Sequence, residues 1–103
     1  KDDVLSNSKQ IINGEKLWDQ KAKNILTSDG SYIGDWWKME SKYSYETEFG
    51  KGKLHYYQNS NTGEISIFDA KLKVPKPEKF RLNDKDTFWI INLDGNFIPS
   101  KMR

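Results

Sequence analysis

The chain has 103 residues, of which 35% are hydrophobic and 14% aromatic, and its 17 basic and 15 acidic side chains leave a net charge of +2. This length suits a single domain, and so balanced a charge does not by itself point to nucleic acid or to an acidic partner. The absence of cysteine excludes disulfides, thiolate nucleophiles, cysteine-bound zinc and iron–sulfur clusters.

The N-terminal residues 1–12 are mostly polar, and the first of them is lysine rather than methionine. They predict a tether in front of one folded domain over residues 13–103. Removal of an export signal would explain this start, and a chain trimmed at that end is the alternative. No apolar run reaches the roughly 20 residues that a membrane-spanning helix needs. Any membrane attachment would therefore depend on a lipid site outside these residues.

Apolar residues recur with the period of an α-helix between Gly14 and Leu26. The residues on this face are Leu17, Trp18, Ala22, Ile25 and Leu26. The opposite face is polar, so the segment predicts one amphipathic helix that packs against a sheet.

From Thr27 onward, short apolar runs are separated by Gly, Asn and Asp, which is typical of antiparallel hairpins. The predicted strands are residues 31–38, 43–49, 53–58, 64–74, 87–93 and 97–99. Residues 74–78 contain two prolines, which lack the N–H that a strand ladder needs, and they predict a connection or an edge. The pattern predicts a mainly β fold, with α+β as the alternative: a helix packed on a six- to seven-stranded antiparallel meander, forming a curled sheet or a small, partly open barrel.

Three aromatic doublets occur in these strands: Trp36-Trp37, Tyr56-Tyr57 and Phe88-Trp89. Neighbouring side chains of a strand point to opposite faces, so each doublet puts one large ring on each face. The segment around Phe88-Trp89 is apolar on both faces and predicts a central strand that is covered on both sides. In the other two doublets, Trp37 and Tyr57 share a face with polar neighbours and are predicted to meet water or a partner.

A run of basic residues follows between positions 71 and 81. Its members are Lys71, Lys73, Lys76, Lys79 and Arg81. Alternation places Lys71 and Lys73 on one strand face, opposite the apolar residues of the same strand. Three interpretations remain: protection of an edge strand against pairing with another sheet, attraction to an anionic polymer or lipid head groups, and a groove for single-stranded nucleic acid.

Few residues support catalysis. His55 is the only histidine, and alternation places it on the wetter face of its strand. Asp35 and Glu40 flank the first tryptophan doublet, and an apolar wall beside a carboxylate is a feature of sugar-cleaving clefts. No metal-binding or phosphate-binding motif is present, so we expect no cofactor.

The segment 31–37, which leads into the meander, and a composition rich in Lys, Asn and Ile resemble the small mature domains of exported proteins and lipoproteins of low-GC Gram-positive bacteria, staphylococci among them. The resemblance implies an extracytoplasmic binding or accessory domain, secreted or membrane-anchored. A cytoplasmic location is the alternative.

The first functional hypothesis is a non-enzymatic module that binds an unidentified protein or an anionic surface polymer. The residues predicted to bind are Trp37, Tyr57, Lys71, Lys73, Lys76 and Lys79. The second hypothesis is a small-barrel protein that binds single-stranded nucleic acid. The third is a small hydrolase that uses Asp35 or Glu40.

Overall fold

The computed structural model describes residues 6–94 and residue 97. They form six antiparallel strands in one curled, unclosed sheet, with one α-helix, so the mainly β prediction is confirmed. The strands are β1 (Ser8–Asn13), β2 (Trp36–Ser41), β3 (Tyr45–Thr47), β4 (Gly50–Asn59), β5 (Ile65–Pro75) and β6 (Phe88–Asn92), and the helix is α1 (Gln20–Leu26). The strand order is β1-β2-β4-β5-β6, and β3 pairs with β4 outside this path.

The central position belongs to β4, and this corrects two predictions about the aromatic doublets. Tyr56 and Tyr57 are both buried, the latter with 5% of its surface exposed, because β4 has a layer of side chains on each face. Tyr57 was predicted to face outward, and that prediction is wrong. Phe88-Trp89, predicted to lie in a central strand, belongs instead to β6 at the edge, where the Phe88 ring is 41% exposed.

The two faces of the sheet differ. One face, here called the dry face, carries a continuous core, and the Phe97 ring packs on Tyr56 with centroids 5.0 Å apart. Its buried residues are Met39, Leu54, Tyr56, Ala70, Leu72 and Leu93. On the opposite face, Leu17 and Leu26 pack on Trp36 and Tyr57 and cover one end. The described part of the chain leaves a cleft at the other end.

Trp36 joins the helix to the sheet. Its ring is 2% exposed, and its Nε1 donates a hydrogen bond of 2.9 Å to Ser31 Oγ. That hydroxyl in turn donates to the carbonyl oxygen of Leu26, the last residue of α1, at 3.1 Å. A buried indole usually needs such a partner for its N–H, and here the partner also fixes the end of the helix.

The helix starts later than the apolar period predicts. Asp19 is its N-cap, with the carboxylate accepting from the backbone N–H groups of Lys21 and Ala22. A separate 3₁₀ turn, Gly14–Lys16, comes first and is capped by the Asn13 side chain. Trp18 lies between the turn and the helix and is 98% exposed, so its predicted place on the apolar helix face is wrong.

The proposed tether is also partly wrong, because Ser8–Asn13 forms β1 and pairs with β2. Residues 1–5 lie outside the described residues, as does most of the predicted strand 97–99. The proline segment was interpreted as a connection or an edge, and β5 does end at Pro75, before a 3₁₀ turn over Glu78–Phe80. Since β5 lies between β4 and β6, Lys71 and Lys73 do not protect an edge.

Gly14 lies where the turn of residues 14–16 meets the segment after α1, and it allows a testable change. A Cβ at this position would overlap the carbonyl oxygen of Ile33, although the backbone itself does not require glycine there. We expect Gly14→Ala to lower the free energy of unfolding by about 1 to 3 kcal/mol, the usual cost of overpacking. Urea denaturation would measure it, with exposed Lys16→Ala as the control. Equal stability of the two variants would contradict the close approach.

Candidate anion-binding site

A cleft of about 400 Å³ lies on the open end of the sheet face that α1 only partly covers. We call it the lysine cleft. It is lined by Glu40, Ser44, Lys51, Lys53, His55, Lys73, Pro75 and Phe88. These residues come from β2, β4, β5, β6 and the loop after β2.

Strand register brings the cleft residues together. Glu40 of β2 is paired with His55 of β4, which is paired with Lys71 of β5. Two residues earlier along β4, Lys53 is paired with Lys73. Paired residues of an antiparallel sheet project to the same side with their Cβ atoms about 5 Å apart. Charged side chains that are far apart in the sequence therefore crowd onto one surface.

Glu40 is the carboxylate at the centre of this surface. Its Oε1 lies 3.4 Å from Lys9 Nζ and 3.8 Å from Lys53 Nζ. Its Oε2 lies 3.3 Å from His55 Nε2. One carboxylate thus lies within 4 Å of two ammonium groups and an imidazole.

His55 lies on the predicted face of its strand, but water does not surround it, because only 7% of its surface is exposed. Burial, followed by the nearby Lys73 ammonium, lowers its pKa from 6.5 to about 4, and Glu40 opposes that shift. The imidazole is therefore neutral at pH 7, and its Nε2 faces the Glu40 carboxylate. Nδ1 is buried and has no hydrogen-bond partner among the described residues.

The lysines in and beside the cleft repel one another. Burial lowers the pKa of Lys38, and the charges of Lys73 and Lys71 lower it further. Lys71 is neutralised by Asp69, with 2.8 Å between Nζ and Oδ2. Within residues 6–94 and 97, neither Lys38 nor Lys73 forms an ion pair. Positive charge is therefore in excess at this end of the sheet.

Two features mark the rim of the cleft. Lys51 stands across from Glu46 in the β3–β4 pair, but no ion pair of Lys51 is present in the described part of the chain. On the β6 side, the Lys73 ammonium lies 5.3 Å from the centroid of the Phe88 ring. A cation over an aromatic face is weakly stabilised and stays available to an anion.

Comparisons of the chain with protein-family models, curated proteins and solved structures find no match. The chemistry of the lysine cleft is therefore the basis for a functional interpretation. Its character is cationic, because Lys51, Lys53 and Lys73 line it. Lys9, Lys38 and Lys71 lie beside it, near Glu40 or Asp69.

The structure separates the four lysines that the sequence grouped together. Lys73 lines the cleft and Lys71 borders it. Lys76 lies past the end of β5, where its Nζ is 2.7 Å from both carboxylate oxygens of Asp86. Lys79 is exposed, with its ammonium 5.1 Å from the centroid of the Phe80 ring. Only two of the four predicted lysines belong to this site.

The two predicted binding rings lie elsewhere as well. Trp37 is half-buried and packs against the core of the dry face. Tyr57 is buried next to α1 and stacks on Phe68, with ring centroids 6.1 Å apart. Phe88 replaces them as the ring of the cleft, because β6 lies at the edge.

Sequence reasoning did not bring the charged residues of β2 and β4 together in one site. Lys51, Lys53 and His55 alternate with buried or apolar positions of β4, as do Lys38 and Glu40 in β2. This alternation predicts a polar face on each strand. It does not predict the pairing of β2 with β4 that places the two polar faces side by side.

The described residues give no support for a metal site or a membrane span. No group of three or more His, Asp or Glu side chains in this part of the chain could hold a metal ion. None of its helices is long and apolar enough to cross a membrane.

Proposed function

We propose that the chain is a non-enzymatic binding module whose lysine cleft takes a ligand with several negative charges. The supporting observation is the crowding of Lys38 and Lys73, which form no ion pair with any described residue, around a neutral, buried His55. An anion placed between Lys53 and Lys73 would relieve this repulsion, and charge-assisted hydrogen bonds to it are the stronger kind. An extracytoplasmic location, implied by the resemblance in the sequence, remains a prediction.

Hydrolysis by the two carboxylates beside the tryptophan doublet has less support. Asp35 precedes β2 and Glu40 lies near its far end, so five residue steps of extended chain place their Cα atoms about 16 Å apart. Paired carboxylates of glycosidases lie about 5 to 9.5 Å apart. Asp35 is also outside the lining of the lysine cleft.

Inorganic tripolyphosphate is a suitable probe for the proposal, with binding measured by calorimetry at low and at physiological salt. We expect the double variant Lys53→Gln/Lys73→Gln to bind at least about tenfold more weakly, which is about 1.4 kcal/mol. The matched control is Lys16→Gln/Lys79→Gln, which removes the same charge from exposed sites outside the cleft. It should bind nearly as well as the parent protein.

The histidine gives a second readout that locates the ligand. An anion held among the lysines favours protonated imidazole, so the pKa of His55 should rise when tripolyphosphate binds. A single-stranded oligonucleotide serves as the other anionic probe, since Phe88 could stack on a base beside the lysines. Equal losses in the cleft and control variants would mean that only net charge attracts anions. No binding of any probe at low salt would end the proposal.

A further inference from the structure

The outer edge of β6 presents backbone groups that β5 does not use. Lys76 N–H donates to Thr87 C=O at 2.9 Å, and Leu93 N–H donates to Ala70 C=O at 2.9 Å. Residues 87 and 93 thus bond toward β5, and bonding alternates along an antiparallel strand. The N–H and C=O groups of Phe88, Ile90 and Asn92 therefore point away from the sheet. Among the described residues, no strand pairs with them.

This edge lacks the usual protection against another strand. Exposed sheet edges commonly carry lysine, proline or a bulge. The opposite edge, β1, has Lys9 and an irregular register between Gln10 and Ile12. In contrast, β6 pairs in regular register along its length and has the sequence Phe-Trp-Ile-Ile-Asn, with Ile90 48% exposed. It is a regular template for an added strand.

The lysine cleft continues to this edge. Lys73 is paired with Ile90, and Lys71 with Asn92. The Lys73 ammonium lies over the ring of Phe88, which is two residues from Ile90 along the edge strand. A carboxylate on a strand added beside Phe88 would meet that ammonium on the same face.

We propose that β6 accepts an extended acidic peptide from another protein as an additional strand. Backbone hydrogen bonds to Phe88, Ile90 and Asn92 would hold the peptide, and an acidic side chain opposite Phe88 would reach Lys73, which unlike Lys71 forms no ion pair with a described residue. This inference rests on the proposed function, because it names the anionic ligand of the cleft. A second copy fits less well, since β6 against β6 would place two lysine clefts side by side.

The first test needs only the protein and one peptide. The probe is a seven-residue peptide of alternating Glu and Thr, and its counterpart alternates Lys and Thr. We expect hydrogen exchange at the amides of Ile90 and Asn92 to be fast in the free protein and to slow at least about tenfold with the acidic peptide. The basic peptide should have no effect.

The second test separates strand addition from simple charge attraction. Every second backbone N–H of the bound peptide would face β6. N-methylation of these residues removes the donors to β6, whereas N-methylation of the residues between them leaves those donors intact. Only the first set should abolish binding. Ile90→Pro should likewise abolish peptide binding, because its N–H faces outward, but leave tripolyphosphate binding unchanged.

Several outcomes would overturn the inference. Slow exchange of the Ile90 amide in the free protein would mean that the chain itself occupies the edge. A dimer in sedimentation that Ile90→Pro dissociates would assign the edge to a second copy. If the protein binds tripolyphosphate but not the acidic peptide, strand addition is rejected and the anion site is retained. If it binds neither probe, both proposals are rejected.

Discussion

Replacing Trp36 by alanine is expected to lower the free energy of unfolding by about 3 to 5 kcal/mol, the usual cost of removing a large ring from a core. The change would empty the space between α1 and the sheet and leave the Ser31 hydroxyl without its donor. Domains of this size are stable by only about 5 to 15 kcal/mol. The variant should therefore unfold at much lower urea concentrations, followed by circular dichroism.

Trp18→Ala is the matched control, because the same ring is removed from a site that is 98% exposed. It should change stability by no more than about 0.5 kcal/mol. If Trp36→Ala proves too unstable to purify, Trp36→Phe gives a milder loss in the same direction. Similar losses from Trp18→Ala and Trp36→Ala would contradict the packing of the helix on the sheet.

Acidification is expected to destabilise the protein through His55. The unfolded chain gains a proton at this residue near pH 6.5, whereas the folded protein gains it only near the lowered pKa of about 4. Between these values the unfolded state binds more protons. The free energy of unfolding therefore decreases by about 1.4 kcal/mol for each unit by which the pH is lowered. The total loss approaches about 3 kcal/mol at pH 4, and this contribution is constant above pH 6.5.

His55→Gln should flatten the stability curve between pH 6.5 and 5, since the amide does not titrate. Urea denaturation at closely spaced pH values would measure the difference from the parent protein. As His55 is the only histidine, its ring resonances also report the folded-state pKa directly. Titration of the folded protein near pH 6.5 would contradict burial among the lysines.

The aromatic doublets show what strand alternation can and cannot predict. Alternation gave the two faces of each doublet correctly, because that property is local to a strand. It did not give the order of the strands, which depends on pairing between distant segments. Tyr56-Tyr57 therefore proved to lie in the central strand, with Tyr57 buried rather than outward, and Phe88-Trp89 proved to be at the edge rather than in a central strand.

The helix boundary was predictable from a signal that periodicity overlooks. Apolar spacing extended the predicted helix back to Gly14, but Asp19 is a strong N-cap residue immediately before Gln20. A cap outweighs periodicity because it satisfies backbone N–H groups that the first turn leaves without partners. The exposure of Trp18 follows from that cap.

Two of the four lysines predicted to bind belong to the candidate site. Lys71 and Lys73 were assigned to a polar face, and both border the cleft. Lys76 could not be distinguished from these two lysines in the sequence, because its ion-pair partner Asp86 lies ten residues further along the chain. Glu40 and Lys53 join the site only through the register of β2 with β4 and of β4 with β5.

The four tryptophans form a graded set of natural fluorophores. Trp18 is surrounded by water and Trp36 by protein, while Trp37 and Trp89 are intermediate. A soluble quencher should therefore extinguish the emission of Trp18 first and that of Trp36 last. With Trp18→Phe as the background, the remaining long-wavelength emission would come mainly from Trp37 and Trp89. Because Trp89 lies in β6, the protein carries an optical reporter on the strand proposed to receive a ligand.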